Sequence, residues 1–272
     1  MVGSALARHF SGRHEVHALK HGDLDITNFS AVMDFASRAR PDVMINCAVV
    51  DVDTCERDPS LAESVNAAGP MHLAKAAAEI GSEIVLISTN YVFDGKRESE
   101  PYTWLDEPRP INIYGKTKYA GELAVMSAMP RSYIIRTSWV FGPGKENFLS
   151  TVHKKLLEGT GVRAIEDVFA NATFVEDLAL RIGEILNMRH GIYHVVNEGT
   201  CTYHDFANEA AHLIGLSLEK ARSLVLSIKT SEAQWIAPRP RYTPLRCLLS
   251  EELGLKPMRH WHEALGTYIS SR

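Results

Sequence analysis

Three continuous apolar runs constrain this chain more than anything else in it: DVMINCAVV at 42–50, SEIVLIST at 82–89 and SYIIRTSWVF at 132–141. A strand with one wet face alternates apolar and polar residues, whereas an unbroken run suits a strand covered on both faces of a parallel sheet. Parallel neighbours need long crossovers, usually helical. The stretches between the runs, SLAESVNAAGPMHLAKAAAEI and INIYGKTKYAGELAVMSA, have that character. Upstream, HEVHAL (14–19) reads as a short strand, and NFSAVMDFASRA has helical spacing with Val32, Phe35 and Ala36 on one face. This rhythm predicts an α/β fold with a doubly wound, Rossmann-like parallel sheet. After about residue 142 the pattern loosens. Helical pieces at NFLSTVHKKLLEG, VEDLALRIGEILNM and YHDFANEAAHLIGL alternate with short strands such as GIYHVV. The expectation is a main dinucleotide-binding domain over 1–142. Residues 143–272 then form mainly a smaller C-terminal substrate-binding lobe, with segments returning to the sheet, laid over the carboxyl ends of the strands.

The charge balance narrows the partners. A net charge of −4 gives no electrostatic case for nucleic acid or an anionic membrane. No run of about 18 apolar residues is present for a membrane span. Cys47, Cys55, Cys201 and Cys247 are scattered without a CxxC pair, so a reduced, cytoplasmic protein with no metal site is the expectation. His260 and His262 lie two apart, a spacing that does not share a helix face, and read as a helix start.

The chemistry concentrates at one strand end and one helix. SEIVLIST runs into Ser88-Thr89-Asn90-Tyr91, and a helix follows with Tyr114-Gly-Lys-Thr-Lys118. Residues four apart share a helix face, so the Tyr114 phenol and Lys118 ammonium point into one cleft. A nearby cation favours phenolate and lowers a tyrosine from its usual value of about 10. A strand-end hydroxyl beside that phenol completes the equipment for ketone reduction: a hydride from a nicotinamide and a proton from tyrosine.

These stretches, together with VDTCERDP after NCA, VNAAGPMHLAKAA, ISTNYVFDG, PINIYGKTKYAGE, IIRTSWVFGPGKENF and APRPRYTPL, resemble the extended short-chain dehydrogenase/reductases. Within that family they are most similar to the dTDP-4-dehydrorhamnose reductase group, over nearly the whole chain. The resemblance implies Tyr114 as catalytic acid and Lys118 as its pKa-lowering, ribose-binding partner. Thr89 is implied as the hydroxyl that orients the carbonyl, with Ser88 the second candidate. It implies Cys47, Ala48 and Val49 on the nicotinamide side of the cofactor cleft, and Asp25 and Ile26 near the adenine. Asn90, Tyr91, Trp139, Asn147 and Arg239 are implied on the substrate side. The activity implied is NADP(H)-dependent reduction of a 4-keto-6-deoxy sugar nucleotide by a cytoplasmic protein, with a homodimer possible. The alternative is a non-catalytic regulatory or binding subunit on the same fold, like the methionine adenosyltransferase β subunit.

This chain departs from the family pattern in places. Asn90 stands where the family has Asp, and Val50 where a His or Tyr is common. DVFANAT (167–173) replaces the usual DQxGxPT. For the cofactor, Lys20 and His21 come directly after HEVHAL, ahead of Asp23 and Asp25. A cation there suits the 2′-phosphate of NADP, and an acid would suit the ribose hydroxyl of NAD, so NADP is expected with NAD possible. At the start, MVGSALARHF aligns Gly3 with the third glycine of a Gly-x-x-Gly-x-x-Gly turn, which receives pyrophosphate on a helix N-terminus. The first strand and first two glycines of that motif are missing from the 272 residues. A truncated sequence is expected; a 272-residue molecule lacking them is expected to have a disturbed sheet and weak cofactor binding.

Overall fold

A computed structural model describes residues 1–271. The chain enters as helix α1 (Val2–Phe10), crosses an irregular stretch, and forms α2 (Phe29–Ala39) behind an Asn28 cap. Strand β1 (Val43–Asn46) is succeeded by short helices α3 (Val52–Arg57) and α4 (Pro59–Glu63). A π-helical turn (Ser64–Ala68) leads into α5 (Gly69–Ile80). Then come β2 (Glu83–Thr89), α6 (Ile113–Ala128), β3 (Ser132–Thr137) and β4 (Val140–Phe141). The remainder runs α7 (Phe148–Leu157), β5 (Val162–Ile165), β6 (Thr173–Phe174), α8 (Val175–Ile185), β7 (Gly191–His194) and α9 (Tyr203–Leu213). It closes with α10 (Leu218–Leu224), β8 (Val225–Ile228), α11 (Leu248–Glu252) and α12 (Trp261–Ser270).

The apolar runs do form the expected parallel sheet, in the order β1-β2-β3-β7. Successive side chains of a strand point to opposite faces, and here each face is covered. Val85, Ile135 and Tyr193 meet Ala5 and Leu6 of α1 and Leu178 and Ile182 of α8. Ile84, Leu86 and Ile134 meet Ala74, Ala77 and Val125 of α5 and α6. Two-sided burial is why the runs are unbroken. A second core, built from Phe141, Leu149, Val152, Phe206, Trp261, Leu265 and their neighbours, lies wholly within residues 139–269. It includes the pairs β4–β6 and β5–β8, both parallel.

Two expectations change. HEVHAL is not a strand: residues 14–19 are irregular, with Val16 and Leu19 exposed. A strand needs a ladder partner for its backbone groups, and no strand among the described residues lies alongside it. The apolar run of 42–50 yields only four strand residues, after which 47–50 leave the ladder. Register sets the rim of the sheet: Thr89 pairs with Thr137, and Ser88 with Arg136, which in turn pairs with His194. The carboxyl ends of β2 and β3 therefore finish level, at one edge of the strands.

Candidate active site

Thr89 ends β2 and caps the short 3-10 turn Asn90–Val92. Its hydroxyl accepts from the Tyr91 N–H (3.1 Å) and donates to Asn90 Oδ1 (3.2 Å). Asn90 Nδ2 donates in turn to Thr243 Oγ1 (2.7 Å), which fastens the turn to the segment after Arg239. The amide at Asn90 can both accept from Thr89 and donate to Thr243; a carboxylate at that position would only accept.

Helix α6 is started by Asn112, whose side chain accepts from the Gly115 N–H (2.7 Å) and donates to the Pro238 carbonyl (2.8 Å). Gly115 lies against the turn so closely that a Cβ there would sit 2.2 Å from the Tyr91 carbonyl oxygen. This approach places Tyr114 edge-on to Tyr91, ring centroids 5.8 Å apart, beside the Thr89 hydroxyl. One turn on, Lys118 is 2% exposed and donates from Nζ to the Ile87 carbonyl (2.6 Å). Asn66, inside the π-helical turn, ties the loop after β1 to this helix. It accepts from the Val50 N–H (3.0 Å) and donates to Thr117 Oγ1 (3.2 Å). Gly121 again permits contact, since a Cβ there would lie 2.3 Å from the Asn66 carbonyl.

Titration at the site is governed by dehydration. Burial pushes Lys118 down to about 8, against the opposing pull of Glu122. Burial pushes the Tyr114 phenol upward, and the hydrogen bond with Thr89 acts the other way. The net direction at the phenol is upward rather than the depression expected from a neighbouring cation, because burial, the largest cause, disfavours the phenolate. A phenol so placed keeps its proton at neutral pH, as a proton donor must in its resting state. Cys47 is pushed up to about 12 by burial, which makes it an inert thiol.

These side chains face a cleft of about 270 Å³. Thr89, Asn90, Tyr91, Tyr114, Lys118, Trp139, Cys47 and Val49 all line it. Trp139 interrupts the apolar run between β3 and β4 with φ +39, a left-handed conformation that a bulky side chain rarely adopts. Its ring packs on Tyr203, centroids 4.0 Å apart, which holds the indole at the cleft. Sequence reasoning missed Val2, Val52, Ile87, Thr137, Ser138 and Val140, which also line it. It also missed Tyr203, Asn66, Glu122 and Arg136 behind them. Only Glu122 carried a signal: Tyr114, Lys118 and Glu122 are spaced by four on one helix face.

The other named residues lie elsewhere. The Ala48 N–H donates to Asn46 Oδ1 (3.0 Å), and Gly3 packs toward Cys47 behind the wall. Asn147 caps α7: it accepts from the Ser150 N–H (2.9 Å) and donates to the Val140 carbonyl (3.0 Å). Arg239 pairs with Asp53 (2.9 Å), lies over the Trp235 ring, and lines a neighbouring hollow of about 520 Å³. Lys20 is exposed. Asp25 accepts from the Thr27 N–H (2.9 Å) and hydroxyl (2.8 Å), which hold it below the usual carboxylate range. Ile26 packs with Val32 and Ala36. His260 caps α12. DVFANAT is strongly fastened: Asp167 accepts from the Thr230 N–H and hydroxyl, and Asn171 accepts from the Leu245 N–H (2.8 Å). Among the described residues no cluster of three or more His, Cys, Asp or Glu could hold a metal ion, and no helix is long and apolar enough to cross a membrane.

Comparison with known proteins places this geometry among relatives. Residues 1–272 match the model of the RmlD substrate binding domain. The dTDP-4-dehydrorhamnose reductase of Mycolicibacterium smegmatis is 37% identical, over 100% of this chain and 83% of that protein. The crystal structure of a dTDP-4-dehydrorhamnose reductase from Clostridium acetobutylicum superposes with a TM-score of 0.92 at 37% identity, covering 99% of this chain and 95% of that one. That of the Bacillus anthracis dTDP-4-dehydrorhamnose reductase in complex with NADP superposes with a TM-score of 0.91 at 31% identity, covering 98% and 95%.

Proposed function

The chain belongs to the RmlD substrate binding domain family, and from that premise we propose that it is an NADP(H)-dependent reductase of a 4-keto-6-deoxy sugar nucleotide of the dTDP-4-dehydrorhamnose type. One observation carries the reading: Tyr114, Thr89 and Lys118 face a single cleft that Trp139 also lines.

The residues present suit a nicotinamide dinucleotide. Helix α1 starts without a side-chain cap, so its first N–H groups are available to an anion, and Val2 reaches the cleft wall beside Cys47 and Val49. NADPH, when bound, supplies the hydride. Tyr114 holds the proton that the carbonyl oxygen needs as charge develops on it, and the Thr89 hydroxyl turns from Asn90 to orient that oxygen. Lys118 offers its cation at the base of the same face. The Trp139–Tyr203 stack gives the sugar an apolar wall, with Asn90 and Tyr91 at its side. Residues 1–142 serve as the dinucleotide-binding domain, and 143–272 mainly as the substrate lobe. NADP as cofactor has the support of the Bacillus anthracis relative.

The test monitors NADPH absorbance with dTDP-4-keto-6-deoxy-L-mannose, for wild type and Tyr114→Phe. Turnover by the wild type and its loss in the variant support the reading. A wild type that binds NADPH without turnover sinks it in favour of a binding subunit, and equal rates remove Tyr114 from the chemistry.

A further inference from the structure

Behind the cleft lies a charged cluster that the reduction itself does not use. Glu122, on α6 one turn beyond Lys118, is 0% exposed. Its carboxylate is gripped by Arg136 of β3, from Nε to both oxygens (3.0 and 3.2 Å) and from Nη2 (2.6 Å). The Arg136 guanidinium rests over the Phe93 ring, 5.2 Å from its centroid. The Ser88 hydroxyl donates to the same carboxylate. The end of β2 is thus held at successive residues from α6: Lys118 takes the Ile87 carbonyl, and Glu122 takes the Ser88 hydroxyl. Thr89 is the next residue.

A buried ion pair is weak evidence for stability, because dehydrating two charges offsets their attraction, and an apolar pair of similar volume is often as good. Its place under the cleft points to another use. We propose that Glu122, locked by Arg136, is a positioning residue for this site: it holds the Ser88 end of β2 so that Thr89 faces Tyr114, and it supplies the negative charge against which Lys118 remains cationic. The groups facing Lys118 support this by their chemistry. Besides Glu122 on its own helix they are the Cys47 and Cys55 thiols, on the loop after β1 and on α3, both of which burial keeps protonated. Among the described residues Glu122 is the one carboxylate acting on the ammonium, and it opposes the dehydration that drives the proton off.

The proposal rests on the reductase reading for its consequence but not for its first measurement. The Lys118 ionisation midpoint is tracked by NMR of isotope-labelled lysine, assigned with Lys118→Met, in wild type, Glu122→Gln and Ser88→Ala. Glu122→Gln is expected to lower the midpoint by about one pH unit, the low end of what a neighbouring opposite charge contributes. Ser88→Ala, which keeps the ion pair, leaves the midpoint in place and lowers kcat about tenfold with KM little changed, the scale of one hydrogen bond to a charged group. General loosening of the fold would not produce that split. An unmoved midpoint in folded Glu122→Gln overturns the electrostatic role, and an unchanged kcat in Ser88→Ala overturns the positioning role. Should Glu122→Gln fail to fold, Glu122→Leu/Arg136→Met removes both charges with little loss of volume; losing the cation offsets part of the loss of the carboxylate, so a downward shift smaller than about one pH unit is expected, and an unmoved or raised midpoint overturns the electrostatic role. A wild type without turnover refutes the reductase reading while the midpoint still decides on Glu122.

Discussion

The corner where β2 meets α6 and the stretch at residues 14–26 both carry residues expected at the site, and they are built in opposite ways. At the corner, Thr89, Tyr114 and Lys118 are carried by a strand end and a helix that touch through Gly115, and Lys118 and Thr89 each have a defined partner. Residues 14–20 are exposed, Asp25 bonds to Thr27 within its own turn, and Lys20 donates its backbone N–H to the Asp23 carboxylate (2.8 Å). The contrast teaches that a reacting group needs tolerances that packing enforces. A stretch without a ladder partner leaves Lys20 and Asp25 to local turns, and only its end, at Leu24 and Ile26, reaches the core.

The sharpest way to break this comparison is Tyr114→Phe. It removes one hydroxyl from the corner and is expected to lower kcat by about 10²–10⁴, the usual worth of a positioned proton donor, with an unchanged circular dichroism spectrum. Next comes Lys118→Met, compared with wild type by urea unfolding across pH. The folded value near 8 lies below the unfolded 10.5, so the folded state binds fewer protons between them. Wild type therefore carries the full cost of the buried ammonium below pH 8 and loses it as pH rises to 10.5. The stability difference between the two proteins should change in that window, in favour of wild type, by on the order of 3 kcal/mol at about 1.4 per pH unit; a flat difference would mean that Lys118 is well hydrated. Gly115→Ala forces a methyl into the Tyr91 carbonyl and is expected to cost about 1–3 kcal/mol in the same assay. At the exposed stretch, Leu19→Ser should stay within about 0.5 kcal/mol of wild type. A loss as large as that of Gly115→Ala would show that this stretch packs against something, and the contrast would fail.

Much of the corner was legible because its signals are local. The helix face from Tyr114 to Lys118 comes from a spacing of four, and the strand end from a run that stops at two hydroxyls. Asn147 and Arg239 were legible as polar residues in telling segments, but the partners that hold them were not. Asn147 turned out to cap α7, and Arg239 to pair with Asp53 across 186 residues. HEVHAL misled because a six-residue alternation describes what a strand could be and says nothing of whether another strand lies beside it. Trp139 was expected at the sugar; its left-handed backbone and its stack on Tyr203, 64 residues further on, left no mark in the local pattern.

By itself the sequence determined the layers of the fold, since period and burial are properties of neighbouring residues: unbroken apolar runs must be covered on both faces, and a Tyr and Lys four apart must share one side of a helix. Only the tertiary structure decided the state of the groups so placed. Whether the Glu122 carboxylate beside Lys118 is locked, whether the helix is tied to the loop after β1, and whether the strand-end turn is held in place depend on Arg136, Asn66 and Thr243, which the fold brings in from elsewhere. Dehydration and charge act through space, and no spacing along the chain encodes them.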